Sequence, residues 1–169
     1  CETLNPSNCD TATATVVVDA APIVANDDTV TGVNGTTGAA NVVNAYTSND
    51  TLNGAGITDV STIVGTVVTP ATPINGGAVP TLDTATGNVS VPAGTPAGSY
   101  TITYQICETL NPSNCDTAVI TVAVVPPAID AVDDTPAPIN GATGGTTGSV
   151  LVNDTLNGAP VVPADVTLT

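Results

Sequence analysis

Carboxylates and thiols are the reactive side chains of this chain. It carries 15 Asp and Glu residues, four Cys, and no Lys, Arg or His. A carboxylate pair could form a glycoside-cleaving site. The aromatic platforms on which a sugar would stack are nearly missing, however, with three Tyr and no Phe or Trp. A nucleophilic thiol would need a His or Lys base, and neither exists. No glycine-rich loop leads into a helix to cradle phosphate. No enzymatic activity and no catalytic residue are expected.

Metal binding is the remaining chemistry for acids. Asp27-Asp28 is followed by Asn49-Asp50, and Asp133-Asp134 by Asn153-Asp154. Ca²⁺ takes about six to eight hard oxygens from carboxylates, Asn amides and backbone carbonyls. Adjacent Asp residues on a regular strand point to opposite faces. Both could reach one ion only where the backbone is irregular, as at a junction between modules. Asp27, Asp28, Asp50, Asp133, Asp134 and Asp154 are therefore candidate Ca²⁺ ligands that would stiffen a junction. The alternative is an acidic turn whose Asp and Asn side chains cap local backbone.

The cysteines form two pairs, Cys1/Cys9 and Cys107/Cys115, each with seven residues between. Each pair flanks the loop of a predicted hairpin. Zinc would need about four ligands from one neighbourhood, and the second pair is a hundred residues away with no His to help. Disulfides Cys1–Cys9 and Cys107–Cys115 are expected. Each would stabilise its loop by roughly 2–3 kcal/mol on the chain-entropy argument. They imply an oxidising, extracellular setting.

A net charge of −15 without a single cation excludes nucleic acid, whose binding depends on Lys and Arg. It equally disfavours an anionic membrane surface. High charge often means disorder, but 41% of the residues are apolar and many are β-branched. Val, Ile and Thr with frequent Gly, Pro and Asn make a β-protein composition. No apolar run approaches the roughly 18 residues of a membrane span. No signal peptide is visible, as expected of an internal fragment.

The phrase CETLNPSNCDTA occurs at 1–12 and again at 107–118. A shift of 106 also lays TATATVVV (11–18) on TAVITVAV (117–124), and ANDDT (25–29) on AVDDT (131–135). NDTLNGA (49–55) returns at 153–159, a shift of 104. A unit of this length is a whole domain rather than a solenoid turn. The frame is then a C-terminal strand region of one module at 1–21, a complete module at 22–127, and the N-terminal part of another at 128–169.

Within the complete module, SYTITYQIC (99–107) and DTAVITVAVV (116–125) alternate apolar and polar residues, as half-buried strands do. The loop ETLNPSN joins them into a hairpin. TLDTATGNVSV (81–91) reads as strand, turn, strand. NVVNAY (41–46) and VSTIVGTVV (60–68) are further strands, and PAGTPAG (92–98) is a connector. Short strands with frequent turn signals in about 100 residues indicate an immunoglobulin-type β-sandwich. The fold class is thus all-β: tandem immunoglobulin-like modules of about 106 residues forming an elongated filament. Tyr100 is either a tyrosine corner or simply a core aromatic.

The stretch ATGNVSVPAGTPAGSYTITYQICETLNPSNCDTA resembles the repeat unit of giant surface adhesins of gliding Bacteroidota, of the SprB type. The resemblance implies a cell-surface filament, exported by a type IX system and used in gliding and attachment. Its partners would be neighbouring modules of the same chain and, through other regions, surface polysaccharide or a substratum. The triplet Asp-Thr-apolar at Thr11, Thr29, Thr51, Thr84, Thr117 and Thr155 resembles the O-glycosylation motif of secreted proteins of that phylum. Asn34, Asn49, Asn88 and Asn153 stand in N-x-Ser/Thr triplets. The alternatives to a stalk are a self-assembling surface-layer or fibre subunit and a polysaccharide-binding module.

Overall fold

Short strands broken by Gly, Asn and Pro turns make up the chain, which is described over residues 1–169 by a computed structural model. In order they are β1 (Ile23–Val24), β2 (Asp28–Asn34), β3 (Ala39–Asn44), the one-turn helix α1 (Ala45–Ser48), β4 (Thr51–Leu52) and β5 (Ala55–Gly56). Then follow β6 (Ile63–Thr69), β7 (Thr81–Leu82), β8 (Asn88–Val91), β9 (Gly98–Glu108) and β10 (Cys115–Val125). Beyond these lie β11 (Ile129–Asp130), β12 (Thr155–Leu156) and β13 (Ala159–Pro160).

The fold is all-β and its main body is a two-sheet sandwich. One sheet has the order β2-β10-β9-β6 and the other β3-β8-β7. Counted along the chain, β3, β6, β7, β8, β9 and β10 take the B, C, D, E, F and G positions of an immunoglobulin-type sandwich, with B, E and D in one sheet and C, F and G in the other. The leading strand β2 runs parallel to β10, while the other pairings are antiparallel.

Alternation decides which face is buried. Tyr100, Ile102, Tyr104 and Ile106 of β9 and Ala118, Ile120, Val122 and Val124 of β10 all point into one core with Val89 and Val91 of β8. Burying an Ile such as Ile102 or Ile120 contributes roughly 1.5–3 kcal/mol. Without Phe or Trp, the three Tyr supply the bulk, and all three are buried. Tyr46 and Tyr104 pack with ring centroids 5.9 Å apart. Space for Tyr46 comes from Gly65 on β6, where any Cβ would run into the Tyr46 hydroxyl. Tyr100 is a tyrosine corner: its hydroxyl donates to the Pro96 carbonyl, four residues upstream, at 2.7 Å.

The hairpin of β9 and β10 and the strand–turn–strand of β7 and β8 are as expected, and 92–97 holds no strand. Two expected strands have other bounds. NVVNAY stops at Asn44, whose Oδ1 accepts from the N–H groups of Tyr46 and Thr47 and so starts α1, as an N-cap does. In VSTIVGTVV the first three residues form a 3-10 turn capped by Asp59, and the strand begins at Ile63. Residues 11–18, the sequence counterpart of β10, form no strand, and Val16, Val17 and Val18 are exposed.

The segment after Pro127 repeats the opening of the sandwich. β11, β12 and β13 pair as β1, β4 and β5 do, with Ile129 opposite Leu156 where Ile23 stands opposite Leu52. The Asn157 N–H donates to Ala128 O, as the Asn53 N–H donates to Pro22 O. These contacts form in 128–169 without the two sheets.

Candidate functional site: a buried carboxylate clasp

Residues 25–27 carry the chain from β1 across to β2. Their backbone N–H groups leave one ladder before they join the next, and N–H groups without a ladder acceptor need another partner. Carboxylates supply it. The Ala25 N–H donates to Asp116 Oδ2 at 2.9 Å, and the Asn26 N–H donates to Asp50 Oδ1 at 2.8 Å. Asp27 Oδ1 accepts from the N–H of Val119 on β10 at 2.8 Å. Val119 lies one residue before Ile120, where the ladder with β2 starts. The Asp27 side chain thus extends the β2–β10 pairing by one bond. Hydrogen bonds to an ionised acceptor are the stronger kind, and in a chain with no cation the backbone N–H is the donor at hand.

Asp50 sits at the centre and is only 1% exposed. Tyr104 Oη lies 2.9 Å from its Oδ2 and 3.1 Å from its Oδ1. Burial pushes the Asp50 carboxyl up to about 6; the donors Asn26 N–H and Tyr104 hydroxyl pull it down, and the charges of Asp28 and Asp116 push it up. Burial and the Asp50 carboxylate hold the Tyr104 hydroxyl far above the ordinary phenol range. Burial, with the charges of Asp83 and Asp50, pushes Tyr46 up to about 12.

Asp28 is buried too, at 4% exposure. Its Oδ1 accepts from Ser48 Oγ at 2.7 Å, and its Oδ2 has no partner. Burial raises its pKa, Ser48 opposes the rise, and the Asp27 charge adds to it. Its surroundings therefore shift it toward the neutral acid relative to an ordinary Asp.

Asp27 and Asp28 thus turn to opposite partners, because regular strand geometry begins at Asp28. Asp27 Oδ1 is held by the Val119 N–H and Asp28 Oδ1 by the Ser48 hydroxyl. Asp50 meets the Asn26 N–H and Tyr104 instead. Asp133 and Asp134 are exposed beside Thr135, Ser149 and Asn153. Asp154 reproduces Asp50: its Oδ1 accepts from the Val132 N–H at 2.8 Å, as Asp50 accepts from Asn26. No group of three or more acid side chains is arranged to hold a metal ion. Of the Asp-Thr positions, Thr11, Thr29, Thr84 and Thr117 are exposed, while Thr51 and Thr155 are half-buried.

Both disulfides form, Cys1–Cys9 and Cys107–Cys115. Cys107 and Cys115 are direct cross-strand partners on β9 and β10, with Cα atoms 4.1 Å apart. That is the closer, non-hydrogen-bonded kind of pair. Inside the loop, Glu108 accepts from the side-chain amides of Asn111 and Asn114 at 2.9 and 3.0 Å. These bonds, Asn114 first, hold its carboxyl below the usual range. Asn114 also donates to the Ala21 carbonyl, so the loop grips the chain where the sandwich begins. The first copy folds alike: Glu2 N–H donates to Asn8 O, and Asn8 Nδ2 to Glu2 Oε2 at 3.1 Å.

Sequence reasoning missed Asp116 and Tyr104 as members of the clasp. Asp116 had a signal, since Cys-Asp-Thr-Ala recurs at 9–12 and 115–118. Tyr104 had none beyond its strand. Compared with known protein families and with curated proteins, the chain matches none.

Proposed function

We propose that this chain is a stalk segment of an extracellular filamentous adhesin, built from tandem sandwich modules. One observation carries the reading. The backbone N–H bond that Asp50 makes is made again by Asp154, 104 residues on, and the disulfide loop at 1–9 is made again at 107–115, 106 residues on. Repetition of one module suits a spacer, in which length is the product. The disulfides favour an oxidising compartment. The Pro126-Pro127 link limits bending between modules, and uniform negative charge keeps neighbouring filaments apart. Surface exposure, gliding and type IX export rest on the family resemblance. A polysaccharide-gripping role has less support, because every Tyr is buried and no aromatic platform is offered.

Small-angle scattering from chains of two, three and four consecutive modules tests the array. The maximum dimension should grow by a constant increment of roughly 30–45 Å per module, the length of a sandwich strand. Growth as the cube root of mass would end the stalk reading. An antibody to residues 22–127 should label intact, unpermeabilised cells of the source organism. Mass spectrometry of the native protein should locate glycans at Thr11, Thr29, Thr84 or Thr117 ahead of the half-buried Thr51 and Thr155.

A further inference from the structure

Asn34 ends β2 beside Val125, since the Gly35 N–H donates to the Val125 carbonyl. Its Oδ1 accepts from the N–H groups of Thr36 and Thr37 at 2.9 and 3.4 Å, which folds the turn that follows. Its amide nitrogen is left to point outward. That nitrogen donates to Asn157 Oδ1 at 2.8 Å, across the Pro126-Pro127 link. Asn157 is held in place for this contact. It occupies the two-residue turn between β12 and β13 with φ 55, followed by Gly158 with φ 75. Its own N–H donates to Ala128 O.

Both halves of the contact recur. Asn140 Oδ1 accepts from the Ala142 N–H at 2.8 Å, as Asn34 accepts from Thr36, and so keeps its amide nitrogen for an outside acceptor. Asn53 has the φ of Asn157, is followed by Gly54 with φ 75, and donates its N–H to Pro22 O. Each unit thus carries an amide donor at its downstream end and an amide acceptor at its upstream end. Asn suits both places. It has a donor and an acceptor on one group, so it can close its own turn and still reach out, and it tolerates the left-handed conformation. Between two acidic surfaces with no cation, a neutral amide pair is a polar contact free of repulsion.

We propose that this Asn–Asn pair is a head-to-tail docking contact whose partner is the next module of the same chain, with Asn34 and Asn140 as donors and Asn157 and Asn53 as acceptors. It rests on the tandem reading and adds a rotational register to it. Being head-to-tail, the contact can repeat from each module to the next along the array.

The test uses the full chain, ¹⁵N-labelled, with Asn157→Gly and Asn157→Asp. Glycine keeps the left-handed turn and removes the acceptor, and aspartate keeps the acceptor. The readouts are the Asn34 side-chain NH₂ resonances and the residual dipolar couplings of 22–127 and 128–169. Unchanged amide shifts at Ile129 and Leu156 certify that the small sheet is intact. One alignment tensor should fit the unsubstituted chain and Asn157→Asp. Asn157→Gly should shift the Asn34 NH₂ pair and separate the tensor into two. Asn34 resonances that stay put in Asn157→Gly, or two tensors in the unsubstituted chain, would overturn the proposal. A single tensor in all three chains would also overturn it and assign the register to the two prolines. None of these outcomes depends on where the filament is displayed, so the adhesin reading stands or falls separately by scattering and labelling.

Discussion

Asp50→Asn should flatten the dependence of stability on pH between about 4 and 7. The folded chain holds the Asp50 proton up to about pH 6, against 3.8 for an ordinary Asp. A raised folded value means that the native state binds the proton more tightly than the unfolded state. Its contribution is therefore favourable at low pH and is lost as pH rises from 3.8 through about 6. At about 1.4 kcal/mol per pH unit that interval sets a ceiling of about 3 kcal/mol, and solvent screening brings the expectation to about 1–2 kcal/mol. Asp28 is raised as well and acts in the same direction. Asp59, Asp83 and Glu108 are lowered by their hydrogen bonds. Their stabilisation is present above the ordinary carboxylate range and is lost as pH falls through their folded values. The stability maximum should accordingly lie near pH 4–5, more acidic than the usual range of about 5–8. The assay is urea unfolding of the full chain at pH 4.5 and 7.5, followed by tyrosine fluorescence. Tyr46, Tyr100 and Tyr104 are the only reporters and all lie in 22–127, so the signal belongs to that sandwich. Asn retains an oxygen for the Asn26 N–H, and the Tyr104 hydroxyl has the Asn26 and Ala45 carbonyls at 3.2 and 3.4 Å as other acceptors. The variant should therefore fold. An identical pH slope in the two chains would refute the assignment of the titration to Asp50.

Cys107→Ser/Cys115→Ser should cost about 2–3 kcal/mol by loop entropy, whereas Cys1→Ser/Cys9→Ser should leave the tyrosine-reported midpoint unmoved; equal losses would contradict the local reading of the first loop. Tyr100→Phe should lose about 1 kcal/mol with the hydrogen bond to Pro96 O, read as a lower urea midpoint at unchanged slope. Gly65→Ala should cost about 1–3 kcal/mol by forcing Tyr46 off its site, and its partial rescue by Tyr46→Phe would confirm the contact. Millimolar Ca²⁺ and NaCl of equal ionic strength should raise the melting temperature alike, by screening the −15 charge. An excess effect of Ca²⁺ that disappears in Asp28→Asn would instead establish the calcium site expected from the sequence.

The strands that sequence reading placed correctly are those with one face in the core. Clean alternation through Tyr100–Ile106 and Ala118–Val124 leaves one register that buries the apolar side. The strand β2 was not legible, because DTVTGVN opens with an acid and is interrupted by a glycine, so its apolar positions do not recur every second residue. It is a strand because β10 offers a parallel edge and Asp27 extends the ladder. NVVNAY failed at Asn44 for a related reason. The side chain of Asn44 offers two N–H groups a better acceptor than the next ladder position would. The carboxylates were legible as a group and illegible as an arrangement. The letters Asp27-Asp28 do not reveal that one reaches Val119 and the other Ser48, since both partners are set by tertiary placement.

The fold also explains why acids can accumulate here without a compensating base. Buried or half-buried carboxylates normally depend on Lys or Arg. In this sandwich Asp27, Asp50 and Asp116 are each placed where a backbone N–H lacks a ladder acceptor. Glu108 is placed against two Asn amides. The demand comes from the crossing of the chain between β1 and β2. The phrases ANDDT and NDTLNGA are therefore held together by that crossing, and Asp154 shows the same solution in 128–169 without any β9 or β10 beside it. Asp28 is the exception, with an oxygen that nothing satisfies. A protonated Asp28 removes the charge that burial would penalise, which ties this position, like Asp50, to greater stability in acid. Removing the carboxyl while keeping its shape, as in Asp28→Asn, should therefore stabilise the sandwich more at pH 7.5 than in acid, the opposite of what a metal ligand would do in the presence of its ion.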